Sequence, residues 1–123
     1  MFARTKPFSS FAVDDLDAAR QFYAETIGLG ITTMSEPLLG LDVGSDREIL
    51  GYAKPDHVPA TFTVLNFPVD DIDGAVEELV ARGVRFEHYE AFEQDENGIS
   101  RAGPYIAWFK DPAGNVLSVL QEA

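Results

Sequence analysis

The residues able to do chemistry are few and lie far apart along this chain. It contains no cysteine and two histidines, His57 and His88, which lack the paired spacing of a metal site. We expect both to be partly exposed surface residues. Ser9, Ser10 and Ser118 have no histidine close in sequence that could serve as a general base. No glycine-rich phosphate loop is present. The sequence therefore shows no direct sign of thiol, nucleophilic or phosphate chemistry.

The overall charge restricts the classes of partner. The 123 residues fit one domain, and 21 acidic residues against 9 basic ones give a net charge of −12. Such a surface repels phosphates, so we expect no nucleic acid partner, whereas a cationic ligand would be attracted. The alternative is that the acidic surface only keeps the protein soluble and has no role in binding. The basic residues within 1–7 are not followed by the apolar run of a signal peptide. No apolar stretch of the sequence is long enough to span a membrane, so we expect a cytoplasmic protein without membrane contact.

The elements that must position these side chains occur twice. Residues 11–19 (FAVDDLDAA) return as residues 67–75 (FPVDDIDGA), an offset of 56 residues. A period of about half the chain predicts two related modules, about 1–56 and 57–123, within a single domain. In each copy an apolar strand is followed by an aspartate pair that caps a helix.

The helices are predicted over about 16–27 and 72–82, because apolar residues recur at helical spacing and Gly28 and Gly83 follow as stops. Residues 93–104 form a long polar segment, either a lid or binding loop or a disordered excursion. The predicted strands are 8–13, 31–34, 38–43 and 48–52 in the first module and 62–67, 84–88, 105–109 and 116–120 in the second.

Several motifs then make a family recognisable. The chain carries Val13-Asp14-Asp15-Leu16, then Ala19, Phe22-Tyr23 and Gly28-Leu29-Gly30, and it closes on Asp111-Pro112-Ala113-Gly114-Asn115 before the last strand. In this order the motifs resemble the vicinal oxygen chelate superfamily, which includes glyoxalase I, extradiol dioxygenases, and fosfomycin- and bleomycin-resistance proteins. The resemblance implies an α+β fold of two βαβββ modules whose sheets curl around a cleft, and a homodimer.

The resemblance also implies where a divalent metal would be bound. The ligand positions of the family fall on Phe8, Leu50, Val64 and Ser118 of this chain. None of these residues offers the imidazole or carboxylate that such an ion needs. We therefore expect neither a metal nor another cofactor.

Strand alternation then predicts the residues that line the cleft. The closing strand of the first module brings Glu48 to the cleft or to the rim of the sheet, and either Trp108 or Ala107 faces inward. The lining would be apolar and aromatic with a few polar groups, which is typical of a small-molecule pocket, although the aromatic residues could equally fill a core. The predicted set is Phe8, Ser10, Glu48, Leu50, Tyr52, Phe62, Val64, Asn66, Trp108 and Ser118.

These observations favour a metal-free protein that binds or sequesters a small organic molecule, aromatic or cationic, over an enzyme. One alternative is a glyoxalase- or dioxygenase-type enzyme whose displaced metal site uses Glu48, His57 or His88. Another is a dimeric interaction module without a ligand. The sequence does not identify the ligand.

Overall fold

The computed structural model describes residues 1–122, except for the side chain of Thr33. The chain divides into two compact units, Met1–Val58 and Pro59–Ala123. Each unit contains one copy of the repeat, and each is built from one sheet and one helical segment. Within the described residues, no helix combines the length and the apolar character that crossing a bilayer requires.

The first unit contains a four-stranded sheet in the order β1-β4-β3-β2. β1 pairs with β4 in parallel, and the other two pairings are antiparallel. Its elements are β1 (Ser10–Val13), α1 (Leu16–Gln21), a π-helical turn (Phe22–Ile27), β2 (Gly30–Thr33), β3 (Leu38–Asp42) and β4 (Ile49–Ala53).

The predicted first helix is present, but its second half is wound differently. The Asp15 carboxylate accepts the backbone N–H of Ala18 at 3.1 Å and begins the helix as an N-cap. From Phe22 onward the turns widen, and the carbonyl of Tyr23 accepts the N–H of Gly28, five residues on. Gly28 has φ +89°, a left-handed conformation that glycine adopts without a Cβ clash, and it ends the helix as expected.

The second unit contains a three-stranded sheet in the order β5-β7-β6. β5 is parallel to its neighbour β7, and β6 is antiparallel to β7. Asp71 caps its helix as Asp15 does in the first unit. The elements are β5 (Thr63–Pro68), α2 (Ile72–Ala81), β6 (Tyr105–Lys110) and β7 (Val116–Gln121).

The prediction of a strand over residues 84–88 is wrong. Only Phe86 forms a bridge there, opposite Phe109 of β6. The next carbonyl along, that of Glu87, accepts a hydrogen bond from the Gln94 side chain at 2.9 Å. The N–H of Glu87 still donates to the carbonyl of Trp108 at 2.8 Å, but the Gln94 side chain takes the Glu87 carbonyl, and the pairing goes no further than one bridge.

Each sheet packs one face against the helical segment of its own unit. In the first unit Phe11 contacts the ring of Tyr23 in the helical segment, and Leu39, paired in the same row of the sheet, is buried with it. In the second unit Phe109 and Leu117 pair on one face and are fully buried. We call the opposite face of each sheet its non-helical face. The α+β class predicted from the sequence is confirmed.

Candidate functional site

A row of four paired residues crosses the non-helical face of the first sheet. Ser10 pairs with Leu50, Leu50 with Gly40, and Gly40 with Thr32. Because side chains alternate along a strand, Tyr52 lies on the same face as Leu50. Leu50 and Tyr52 are half-buried and Ser10 is exposed. Three of the predicted site residues therefore share one surface of the first unit.

Glu48, directly before β4, lies on this face as well. Its carboxylate accepts a hydrogen bond from the hydroxyl of Thr32, two strands away. It reaches Thr32 by lying over Gly40, where an added Cβ would come within 3.0 Å of Glu48 Oε1. A glycine in a strand often marks such a close approach. Sequence reasoning overlooked this arrangement, although the glycine inside the predicted strand 38–43 was the available signal.

A corresponding row crosses the second sheet. Asn66 pairs with Ser118, and Ser118 pairs with Trp108. Ser118 is fully buried, and its hydroxyl donates to Asn66 Oδ1 at 2.5 Å. Trp108, and not Ala107, therefore lies on the non-helical face of this sheet.

Simple alternation fails at the start of β5. Thr63 pairs with Val116 and Leu65 with the next residue, Leu117, so Val64 is the additional residue of a β-bulge. Val64 consequently has no partner in the register. Phe62 precedes the strand and is exposed. The structure thus places Asn66, Ser118 and Trp108 in one row and does not bring Phe62 and Val64 into it.

The indole of Trp108 is covered by two rings of its own unit. Phe92 stacks on it with ring centroids 4.8 Å apart, and Tyr89 meets it edge-on at 5.7 Å. Trp108 is in consequence only 9% exposed. Burial raises the pKa of the Tyr89 phenol, and the Glu87 carboxylate acts in the same direction. Sequence reasoning treated the region near Phe92 as polar loop and missed this contact.

The long loop is tied down by side-chain hydrogen bonds. Asp95 Oδ1 accepts the N–H groups of Asn97 and Ile99, both at 2.9 Å, and Ser100 forms a bridge with Ile106. An open depression of about 390 Å³ lies beside it. The side chains around that depression are Glu93, Gln94, Asp95, Ile99, Arg101 and Ala102.

The Asp111–Asn115 motif is a structural turn. The buried Asp111 Oδ1 accepts the N–H groups of Ala113 and Asn115, both at 2.9 Å, and Oδ2 accepts the Asn115 side-chain amide at 3.0 Å. The carboxylate is thereby occupied by its own turn, as is common for aspartate in such loops. The motif positions β7, and no chemistry needs to be assigned to it.

The residues at the family's metal-ligand positions do not fit a divalent ion. Phe8 and Ser10 of the first unit correspond to Val64 and Asn66 of the second at the repeat offset of 56 residues. Ser10 pairs with Leu50 as Asn66 pairs with Ser118, so Leu50 and Ser118 are equivalent positions. These positions offer one phenyl ring, two aliphatic side chains and one hydroxyl already bonded to an amide.

The described residues do not assemble a displaced metal site either. In the part of the chain that the structure describes, no group of three or more histidine, aspartate or glutamate side chains could hold a metal ion. His57 is half-buried with no hydrogen bond to Nε2, and His88 is exposed.

Phe8, at one of the metal-ligand positions, contacts a cation. Its half-exposed ring lies under the guanidinium of Arg47, whose Cζ is 4.4 Å from the ring centroid.

The model of the Glyoxalase/Bleomycin resistance protein/Dioxygenase superfamily matches residues 8–119, and the chain belongs to that superfamily. The resemblance seen in the sequence is confirmed. No curated protein matches the chain.

Solved structures of several activities share the fold. The antibiotic binding protein TnmS3 from Streptomyces sp. CB03234 is 24% identical with a TM-score of 0.70, covering 96% of this chain and 97% of that one. A lactoylglutathione lyase from Agrobacterium tumefaciens is 25% identical with a TM-score of 0.64, covering 94% and 93%. The fosfomycin resistance protein FosX from Listeria monocytogenes is 13% identical with a TM-score of 0.72, covering 95% and 92%. Enzymes and binding proteins thus occur on this fold, and the activity must be argued from the site.

Proposed function

We propose that this protein binds or sequesters a small organic molecule without a metal ion, and that it is not an enzyme. The observation that carries the proposal is the chemistry at the four metal-ligand positions. Phe8, Leu50 and Val64 have no donor atom, and the hydroxyl of Ser118 is bonded to Asn66. A fold that keeps its two sheets and lacks metal ligands retains surfaces for binding and loses the Lewis acid.

The non-helical face of the first sheet supports an aromatic or cationic ligand. Leu50 and Tyr52 supply apolar and aromatic surface, and Glu48 adds a carboxylate that Thr32 holds in place. A few polar groups among apolar ones are the usual composition of a small-molecule site. The net charge of −12 favours the approach of a cation. TnmS3, which shares the fold, is an antibiotic binding protein, and this agrees with a small organic ligand.

Metal analysis tests the first half of the proposal. We expect protein purified without a chelator to carry far less than one equivalent of zinc, iron, manganese or nickel, and EDTA to leave the melting temperature unchanged. About one equivalent of metal, removed by EDTA together with a large drop in melting temperature, would contradict the proposal.

A ligand screen by thermal shift tests the second half. Compounds that bind the folded state raise the melting temperature by mass action. At a ligand concentration one hundred times Kd, the free energy of unfolding increases by about 2.7 kcal/mol. We expect planar aromatic and cationic compounds to be the class that raises it. A screen of several hundred such compounds without one saturable shift would count against a binding function.

The proposal includes a cytoplasmic homodimer. Large hydrophobic side chains of both units are exposed, among them Val58, Phe62 and Val80. Apolar surface of this kind is often covered by a second subunit. Light scattering at micromolar concentration should give twice the chain mass of 13.5 kDa. A monomeric mass would remove the dimer and leave the binding proposal standing.

A further inference from the structure

A short loop over residues 89–94 places Phe92 on the indole of Trp108. The side chain of Gln94 closes the base of this loop. Its Oε1 accepts the N–H of Tyr89 at 2.6 Å, and its Nε2 donates to the carbonyls of Glu87 and Gly98 at 2.9 and 2.7 Å. We call residues 90–93 the tip of the loop.

The tip is held far more weakly than the base. All four of its residues are exposed, and Phe92 itself is 51% exposed although it stacks on Trp108. Its backbone is tied back by a hydrogen bond from the N–H of Phe92 to the carbonyl of Tyr89 at 3.1 Å. Phe92 also meets the ring of Tyr89 edge-on, with ring centroids 6.3 Å apart. Each aromatic pair contributes about 0.5–1.5 kcal/mol beyond its buried area, and half of the Phe92 surface stays in water, so a modest free energy keeps Phe92 in place.

The indole beneath Phe92 belongs to the row that carries the exposed amide of Asn66. Trp108, Ser118 and Asn66 follow one another across the non-helical face of the second sheet. The backbone of Trp108 is fixed on both sides, because it pairs with β7 and its carbonyl accepts the N–H of Glu87 at 2.8 Å. A rigid indole under a loosely held phenyl ring is the arrangement expected of a stacking surface in its unliganded form.

We propose that Phe92 is an internal stand-in for the ligand, and that a planar aromatic ring displaces it and stacks on Trp108 in its place. The tip moves while the Gln94 bonds keep the base of the loop closed. Phe92 leaves 51% of its own surface exposed while it stacks, whereas a fused ring system brings more apolar surface of its own out of water on the indole, and this difference drives the exchange. The inference rests on the proposed binding function and assigns its ligand class.

The test uses Phe92→Ala and the single tryptophan of the chain. Acrylamide quenching of Trp108 emission should increase in Phe92→Ala, because the indole loses its cover. Affinity for the planar probe 9-aminoacridine, measured by calorimetry, should rise between about twofold and about tenfold, since the probe no longer competes with Phe92. Phe92→Trp should lower that affinity, because a larger internal ring competes better. Phe2→Ala removes another exposed phenylalanine, 73% exposed against 51% for Phe92, and should change neither measurement.

The opposite results are distinct from one another. Weaker probe binding in Phe92→Ala would make Phe92 a wall of the site and overturn the displacement. Unchanged quenching and unchanged affinity, with both variants folded by circular dichroism, would overturn it too. If compounds without aromatic rings bind and planar ones do not, the inference fails while the binding function stands. If nothing binds to wild type or variants, both fail.

Discussion

The two sheets have the same pairing pattern, but side chains of very different size occupy one pair of equivalent positions. In the first sheet the residue that pairs with Leu50 on the antiparallel neighbour is Gly40, and in the second sheet the residue that pairs with Ser118 is Trp108. The smallest and the largest side chains therefore occupy equivalent positions. Over Gly40 lies the carboxylate of Glu48, while over Trp108 lie the rings of Phe92 and Tyr89.

This difference shows what the repeat preserves and what it leaves free. Both modules keep the aspartate cap, the helix and the parallel pairing of first and last strand, because these features hold each unit together. The non-helical faces of the two sheets differ. One presents a polar surface over a glycine, and the other presents an aromatic stack.

The largest change in stability is expected when the aromatic stack on the second sheet is removed. Trp108→Ala should lower the free energy of unfolding by about 3–5 kcal/mol, because the buried indole loses contacts with two rings. Tyr52→Ala, on the half-buried face of the first unit, should cost clearly less. Urea denaturation of both variants gives the comparison. Equal losses would mean that the two faces are packed alike and would remove the contrast.

Filling the polar surface should cost less. Gly40→Val should destabilise the fold by about 1–3 kcal/mol, since its side chain would meet the Glu48 carboxylate and the Cβ of Thr32. The same change in a Glu48→Ala background should cost less, because one of the two obstacles is gone. Thermal or urea unfolding of the four proteins completes a double-mutant cycle. An additive result would show that the carboxylate does not lie over Gly40.

The buried and exposed hydroxyls of the two rows give a smaller contrast. Ser118→Ala should cost about 1 kcal/mol of stability, because it removes the bond to Asn66 inside the second unit. Ser10→Ala should change stability by less than about 0.5 kcal/mol, as is usual at exposed positions. Chemical denaturation measures both. A costly Ser10→Ala would reveal a contact on the first sheet comparable to that of Ser118.

The smallest effect concerns charge. Glu48→Gln should weaken binding of a cationic probe by about 1 kcal/mol or less at low salt, and the loss should shrink as salt is added. An uncharged analogue of the same probe should bind both proteins alike. Calorimetric titrations at two salt concentrations provide the test. Equal weakening of both probes would assign Glu48 a packing role and not an electrostatic one.

The features of the fold that depend on local chemistry were predictable. Asp15 and Asp71 indicated where both helices begin, and Gly28 indicated where the first one ends. The features that depend on neighbours distant in sequence were not. Residues 84–88 have a strand-like pattern, yet their pairing depends on β6, far along the chain, and only Phe86 forms a bridge to it. The bulge at Val64 likewise depends on pairing with β7.

The candidate site divides in the same way. Alternation places Leu50 and Tyr52 on one face, because β4 pairs regularly with both of its neighbours. It left the choice between Trp108 and Ala107 open, because a buried strand is apolar on both faces. The cover over the indole was beyond prediction, since nothing in the sequence around residue 92 indicates which side chain the loop will meet.

The parallel pairing of first and last strand has a consequence for biosynthesis. All four strands of the first sheet lie within residues 10–53, so that sheet can close while later residues are still being translated. The second sheet has its last strand, β7, at its centre. β5 and β6 therefore have no common neighbour until residues 116–121 leave the ribosome. Until then the apolar side chains of β6 are uncovered, which makes the nascent second unit the part of the chain most in need of a chaperone.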